Sequence, residues 1–108
     1  MENATITICG NTGKDGELRY GGASGKPFAV MPVAVSSGTK EQPKTNWFDV
    51  KMFEELATQM AELKKGTRII VTGRLRQDIY ADADGVKQYR TVIYAEEAGP
   101  SLRWTPRS

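Results

Sequence analysis

At 108 residues the chain is one domain's worth, long enough for a single modest core and too short for two. Hydrophobic residues at 39%, charged residues at 26% and eleven glycines fit a turn-rich soluble domain and argue against an all-helical one. The net charge of +2 does not by itself mark a nucleic-acid binder, the single Cys9 excludes an intrachain disulfide, and the lack of histidine removes the commonest metal ligand.

The first predicted element is a short strand at Thr5–Cys9, where polar and apolar residues alternate before the turn-rich GNTGKDG. The start MENATITI lacks the basic and apolar segments of a signal peptide, and no run of about 18 apolar residues occurs, so a cytoplasmic protein with no membrane segment is expected. A second strand is predicted at Phe28–Ser36, apolar on both parities. Pro32 lies inside it and removes a ladder donor, which calls for a bulge or an edge there. A polar loop, SGTKEQPKT, leads to a third strand, Asn46–Phe53.

From Glu54 to Lys65 the period changes. Leu56, Met60 and Leu63 fall at i, i+4 and i+7 with Ala57 and Ala61 beside them, which predicts a helix with one apolar stripe. Lys64 and Lys65 suit its negative end, and Gly66 suits a left-handed cap. A long strand follows from Arg68 to Tyr80, then the turn signal of ADADG, then a last strand at Lys87–Ala95. Residues 1–98 form the expected domain, and 99–108 form a short basic tail, ending SLRWTPRS, that is expected to be mobile. Trp104 in that tail either stacks on a base or packs on the domain.

Three strands, a helix, then a closing hairpin is the element order of an all-β fold, the five-stranded OB-fold barrel with one α-helix between strands 3 and 4. Folds of this kind serve many functions, so the binding face has to come from the residues. Strand parity sets Trp47, Asp49, Lys51 and Phe53 on one side of the third strand and the apolar Phe48, Val50 and Met52 on the other. In the fourth strand, Arg74, Arg76 and Tyr80 share a face, opposite a core set of Ile69, Val71, Gly73, Leu75, Gln77 and Ile79. Aromatics interleaved with cations on an open sheet suit single-stranded nucleic acid, because bases stack on flat rings while cations follow the phosphates. The plainer alternatives are that Trp47 packs under a loop, that Phe53 belongs to the core beside the helix, and that Tyr80 caps the hairpin. The basic run from Lys64 to Arg76 has its own plain alternative as one pole of a solvated surface.

The stretches GNTGKDGELRY, SGKPFAVMPVAVS, NWFDVKMF, LKKGTRIIVTGRL and YADADGVKQYRTVIYA together resemble the bacterial and phage single-stranded DNA-binding proteins, from about Asn3 to Glu97. The resemblance implies a homo-oligomeric, dimeric or tetrameric, OB-fold protein that coats single-stranded DNA in replication, recombination and repair. It places the family's stacking aromatics on Trp47, Phe53 and Tyr80 and its phosphate contacts on Lys14, Arg19, Lys51, Arg74 and Arg76, with Lys87 and Arg90 as further candidates.

Four departures stand out. The hairpin SSGTKEQPKT is short and lacks an aromatic. Thr12 and Gly16 replace an apolar residue and a proline, a change expected to alter turn stiffness. Phe48 stands where many members carry a histidine near a subunit contact. The basic tail is unlike the acidic tail, ending in Pro-Phe, through which the family recruits partner enzymes, so recruitment by that route is not expected.

Catalysis is not expected, and neither is a metal or cofactor. Cys9 has no histidine partner, the glycines of GNTGKD are too closely spaced for a phosphate loop, and DADG lacks the glycine position and closing Glu of a calcium loop. The expected function is sequence-tolerant binding of single-stranded DNA. The rival is an OB-fold accessory or protein-interaction module whose aromatic face meets protein.

Overall fold

The computed structural model describes residues 4–21 and 25–104, without the side chain of Trp104. Its elements are β1 (Thr5–Thr12), β2 (Arg19–Tyr20), β3 (Pro27–Gly38), β4 (Pro43–Phe53), α1 (Glu54–Met60), β5 (Arg68–Ala81), β6 (Lys87–Pro100) and a 3-10 turn at Leu102–Trp104. The strands run in the order β1-β5-β6-β4-β3-β2, and β3 returns to β1 through Asn11–Ala34 and Thr12–Val33. That return closes five strands into the expected OB-fold barrel, with the two-residue β2 added at the start of β3.

Inside sit Ile8, Ala29, Met31, Val33, Val50, Met52, Ile69, Val71 and Ile93, and Ala57 and Met60 of α1 join them from one end. The inward residues of β4 are those that parity selected, although Phe48 is only half-buried, flanking the core rather than filling it. Pro32 causes no bulge, for β3 and β4 stay in register from Phe28–Phe53 to Gly38–Pro43. Its carbonyl accepts from the Gly13 amide at 2.7 Å, so its missing N–H also points away from β4, into the gap between β2 and β1. Proline costs no β3–β4 hydrogen bond there.

The helix is shorter than its apolar stripe suggested. It ends at Met60, and i to i+3 bonds from Glu62 to Gln59 and from Leu63 to Met60 tighten the chain as it leaves. Lys64 and Lys65 therefore lie beyond the last turn, not at the dipole's end. Gly66 is left-handed, with φ of 86°, but in a separate turn. The cause is the motif that follows β1. Asp15 accepts from the Lys65 amide at 2.8 Å, the Gly16 amide donates to the Leu63 carbonyl at 2.7 Å, and the Gly66 amide donates to the Thr12 carbonyl. The buried Thr12 hydroxyl donates to the Lys64 carbonyl at 2.8 Å and accepts from the Thr67 amide at 2.9 Å. Thr12 and Gly16 thus do more than adjust stiffness: an apolar side chain or a proline would lose these bonds.

Other strand boundaries also moved outward, those of β3 to Pro27 and Gly38 among them. β1 runs on to Thr12, β4 begins at Pro43 because the hairpin loop is only Thr39–Gln42, and β6 continues past Ala95 to Pro100. Gly99 and Pro100, expected in the tail, pair with Ile70 and Ile69, and the buried Ser101 donates its amide to the Arg68 carbonyl. The expected mobility of residues 105–108 falls outside the described residues.

Candidate nucleic-acid interface

β6 is the middle strand of the outward face, and the register fixes what lies across it. Lys51 of β4 stands beside Tyr94 of β6, which stands beside Arg74 of β5; Asp49 and Arg76 flank Val92 in the same way, and Asp78 faces Arg90. On the other side of β4, Phe28 of β3 lies opposite Phe53, and Arg19 of β2 lies opposite Phe28. A single extra residue on β6, Glu96, forms a bulge between Thr72 and Gly73, so the parity of β5 itself is unbroken. Tyr80 therefore shares the outward side with Arg74 and Arg76.

The aromatics on this face are open. Trp47 is 62% exposed, Tyr80 50% and Phe53 46%, values that rule out core roles for all three. Trp47 leans one ring edge against the loop after β1: a β-carbon added at Gly13 would lie 2.6 Å from its Cζ3. Glycine there lets a large indole rest on backbone while its broad surface stays in solvent. Phe53 and Tyr94 are offset neighbours, with centroids 5.9 Å apart and planes at 27°.

Charge on the face is arranged so that its carboxylates are occupied. Arg90 grips Asp49, its Nε donating to Oδ2 at 2.7 Å with a further ion-pair contact from Nη2. The Tyr94 hydroxyl donates to Asp78 Oδ1 at 2.7 Å. Partial burial, then that hydrogen bond and the carboxylate's charge, raise the tyrosine's pKa above its usual 10. The Lys51 ammonium lies 5.7 to 5.8 Å from the ring centres of Phe28, Phe53 and Tyr94, and the Arg76 guanidinium carbon lies 5.3 Å from that of Tyr94. These cations rest on rings, meet no carboxylate among the described residues, and are within reach of an anion.

The structure brings Trp47, Lys51, Phe53, Arg74, Arg76, Tyr80, Arg90 and, at the margin, Arg19 to one face. Arg74 and Arg19 also meet Glu96 and Glu17 at 3.6 and 3.7 Å, and Arg90 is committed to Asp49. Lys14 stands in the loop beside Gly13, next to the Trp47 contact. Lys87 is not brought to the face: it opposes Ala81, on the reverse side from Tyr80 and Gln88.

Sequence reasoning overlooked Tyr94 and Phe28. Counting back by two from Tyr94 reaches Val92 and Arg90, so the parity rule applied to the neighbouring strands, extended to β6, would have set Tyr94 on the face with Arg90. Phe28 needed the hairpin register, which only the tight Thr39–Gln42 loop supplies.

Residues 3–101 match the Single-strand binding protein family. The chain is 36% identical to the single-stranded DNA-binding protein of Paenarthrobacter aurescens, over 93% of this chain and 63% of the relative. It is 34% identical to those of Mycolicibacterium smegmatis and Mycobacterium tuberculosis, over 94% of this chain and 66% of either relative. The chain thus spans less than two thirds of the length of these curated relatives. With the barrel as expected and nearly the whole sequence matched, the chain belongs to the single-strand binding protein family.

Proposed function

We propose that the protein binds single-stranded DNA with little sequence preference and coats it during replication, recombination and repair, acting as a binding protein and not as a catalyst. The observation that carries this is the single sheet face on which Trp47, Phe53 and Tyr80 stand open, with the half-buried Tyr94 between them, beside Lys51 and Arg76. Rings take the bases, and the cations, already partly dehydrated against those rings, take the phosphates. Binding of this type tolerates any sequence, because every base has a flat face.

A homo-oligomer in the bacterial cytoplasm fits this role. β1 bonds to β5 along one edge, while β3 reaches its other edge only at Asn11 and Thr12, which leaves the backbone of Thr5–Cys9 available for pairing with a second copy. The described residues contain no helix long and apolar enough to cross a membrane. Light scattering distinguishes a monomer, which would overturn the assembly, from a dimer or tetramer.

The test of binding is titration with labelled oligo-dT and with duplex of equal length at several salt concentrations, in a Trp104→Phe background so that Trp47 is the reporting indole. Oligo-dT should quench the fluorescence, with log affinity falling by about 0.7 per phosphate neutralised for each unit of log salt. Equal affinity for duplex, or binding without quenching, would favour a protein-interaction module instead.

A further inference from the structure

Within that proposed face, we propose that Tyr94 is a base-stacking residue, forming with Phe53 and Phe28 a single-nucleotide subsite centred on Lys51. Three rings around one ammonium could be a packing device for a surface lysine. The geometry favours a ligand platform. Phe53 is 46% exposed, and Tyr94, though half-buried, is not among the core residues, so the pair lies at the surface. Their centroids are 5.9 Å apart, whereas a base inserted between two rings needs about 7 to 8 Å, twice a carbon contact distance. The pair is thus not a slot but a tile, broad enough to carry one base on its outer surface.

The tile is held in place from beneath and beside. The Tyr94 hydroxyl is anchored on Asp78 at 2.7 Å, which fixes the ring's tilt and consumes the hydroxyl, leaving its face as the recognition element. Lys51 hovers 5.7 to 5.8 Å from all three ring centres, held by weak attraction to the rings in place of a salt bridge. A base settling on the tile moves the ammonium towards the attached phosphate, and Arg76, its guanidinium carbon 5.3 Å from the Tyr94 ring centre, is placed for the next phosphate along. Since the contact is with a ring face, the subsite takes any base.

The experiment compares oligo-dT with an abasic oligonucleotide of the same length for wild type, Tyr94→Phe, Tyr94→Leu, Tyr94→Ala and Trp47→Ala, with thermal unfolding of each variant. Tyr94→Leu keeps most of the side-chain bulk without a flat ring, so it covers the case in which alanine unsettles the sheet. Expected is a roughly 5- to 150-fold loss of oligo-dT affinity in the leucine and alanine variants, with abasic affinity unchanged and the phenylalanine variant within about twofold of wild type. Equal proportional losses on both oligonucleotides would overturn the subsite, as they would assign Tyr94 a role in supporting cations or the sheet. If Trp47→Ala weakens oligo-dT binding while Tyr94→Leu does not, the subsite fails and the proposed function stands. If wild type does not bind oligo-dT, both fail.

Discussion

The barrel wall and the hairpin arm share two strands and differ in what covers them. Along β5, Ile69 and Val71 are buried at 2% and 0%, whereas Ile79, on the same parity, is 61% exposed, and Leu75 lies between. The change comes where neighbours run out. β1 pairs with β5 only as far as Arg74, and β4 meets β6 only at residues 92–94, so beyond them β5 and β6 pair with each other alone. Alternation thus assigns residues to faces, but a face becomes core only where a further layer closes over it. In the wall one face is interior and the other is the candidate interface; in the arm both are wet.

The largest test of that difference pairs two isoleucines of one strand. Ile69→Ala should cost about 2 to 5 kcal/mol of folding stability through lost burial and a residual cavity. Ile79→Ala should stay within about 0.5 kcal/mol, as for other surface changes. Chemical denaturation of the two variants decides it, and similar costs would mean that the arm is covered in solution. Second, Trp47→Ala should weaken oligo-dT binding by about 1 to 3 kcal/mol with little change in melting temperature. Tyr80→Ala, on the less supported arm, should fall near the lower end of that range in the same titration.

A smaller effect is expected at the seam between wall and arm. Arg90→Ala removes the ion pair to Asp49 and should cost about 0.2 to 1 kcal/mol in melting experiments, since the arginine is largely solvated. The smallest lies at the arm's tip. Asp82 accepts from the Val86 amide, the Gln88 side chain and the Asp84 amide, and these bonds lower its pKa below the usual 3.8. A depressed carboxylate stabilises the fold above the unfolded value and loses that contribution as pH falls below 3.8 through the folded value. Amide exchange at Asp84 and Val86 should quicken over that window in wild type, relative to the barrel amides, and Asp82→Asn should remove the dependence.

Much of the fold was legible because its signals are local. The period change at Glu54, the Asp-Gly turn and the alternation of β4 each lie within a dozen residues, and together they imply the barrel. Burial was less legible. Parity placed Leu75, Gln77 and Ile79 in the core because nothing in β5 itself reports where β1 stops. The helix end was misjudged for a similar reason: Leu63 continues the apolar stripe, but its carbonyl is taken by Gly16, 47 positions earlier. At the interface, residues set by parity within one strand were found, whereas Phe28 and Tyr94 join it through pairing between strands. Lys87 was carried over from the family resemblance alone, and its pairing opposite Ala81 sets it on the reverse side from Arg90.

The Thr12 clamp also bears on how the chain is made. Its hydroxyl and amide bond to residues 52 and 55 positions later, contacts of high sequence separation that form only after a long loop has closed. At a synthesis rate of about 5 to 20 residues per second, β1 waits roughly 3 to 11 s for Thr67 to be made. Through that interval the Thr12 hydroxyl lacks its backbone partners at Lys64 and Thr67, and the edge of β1 that β5 covers stays open. Barrel closure should therefore be late in folding, and variants of Thr12 should accelerate unfolding more than they slow refolding.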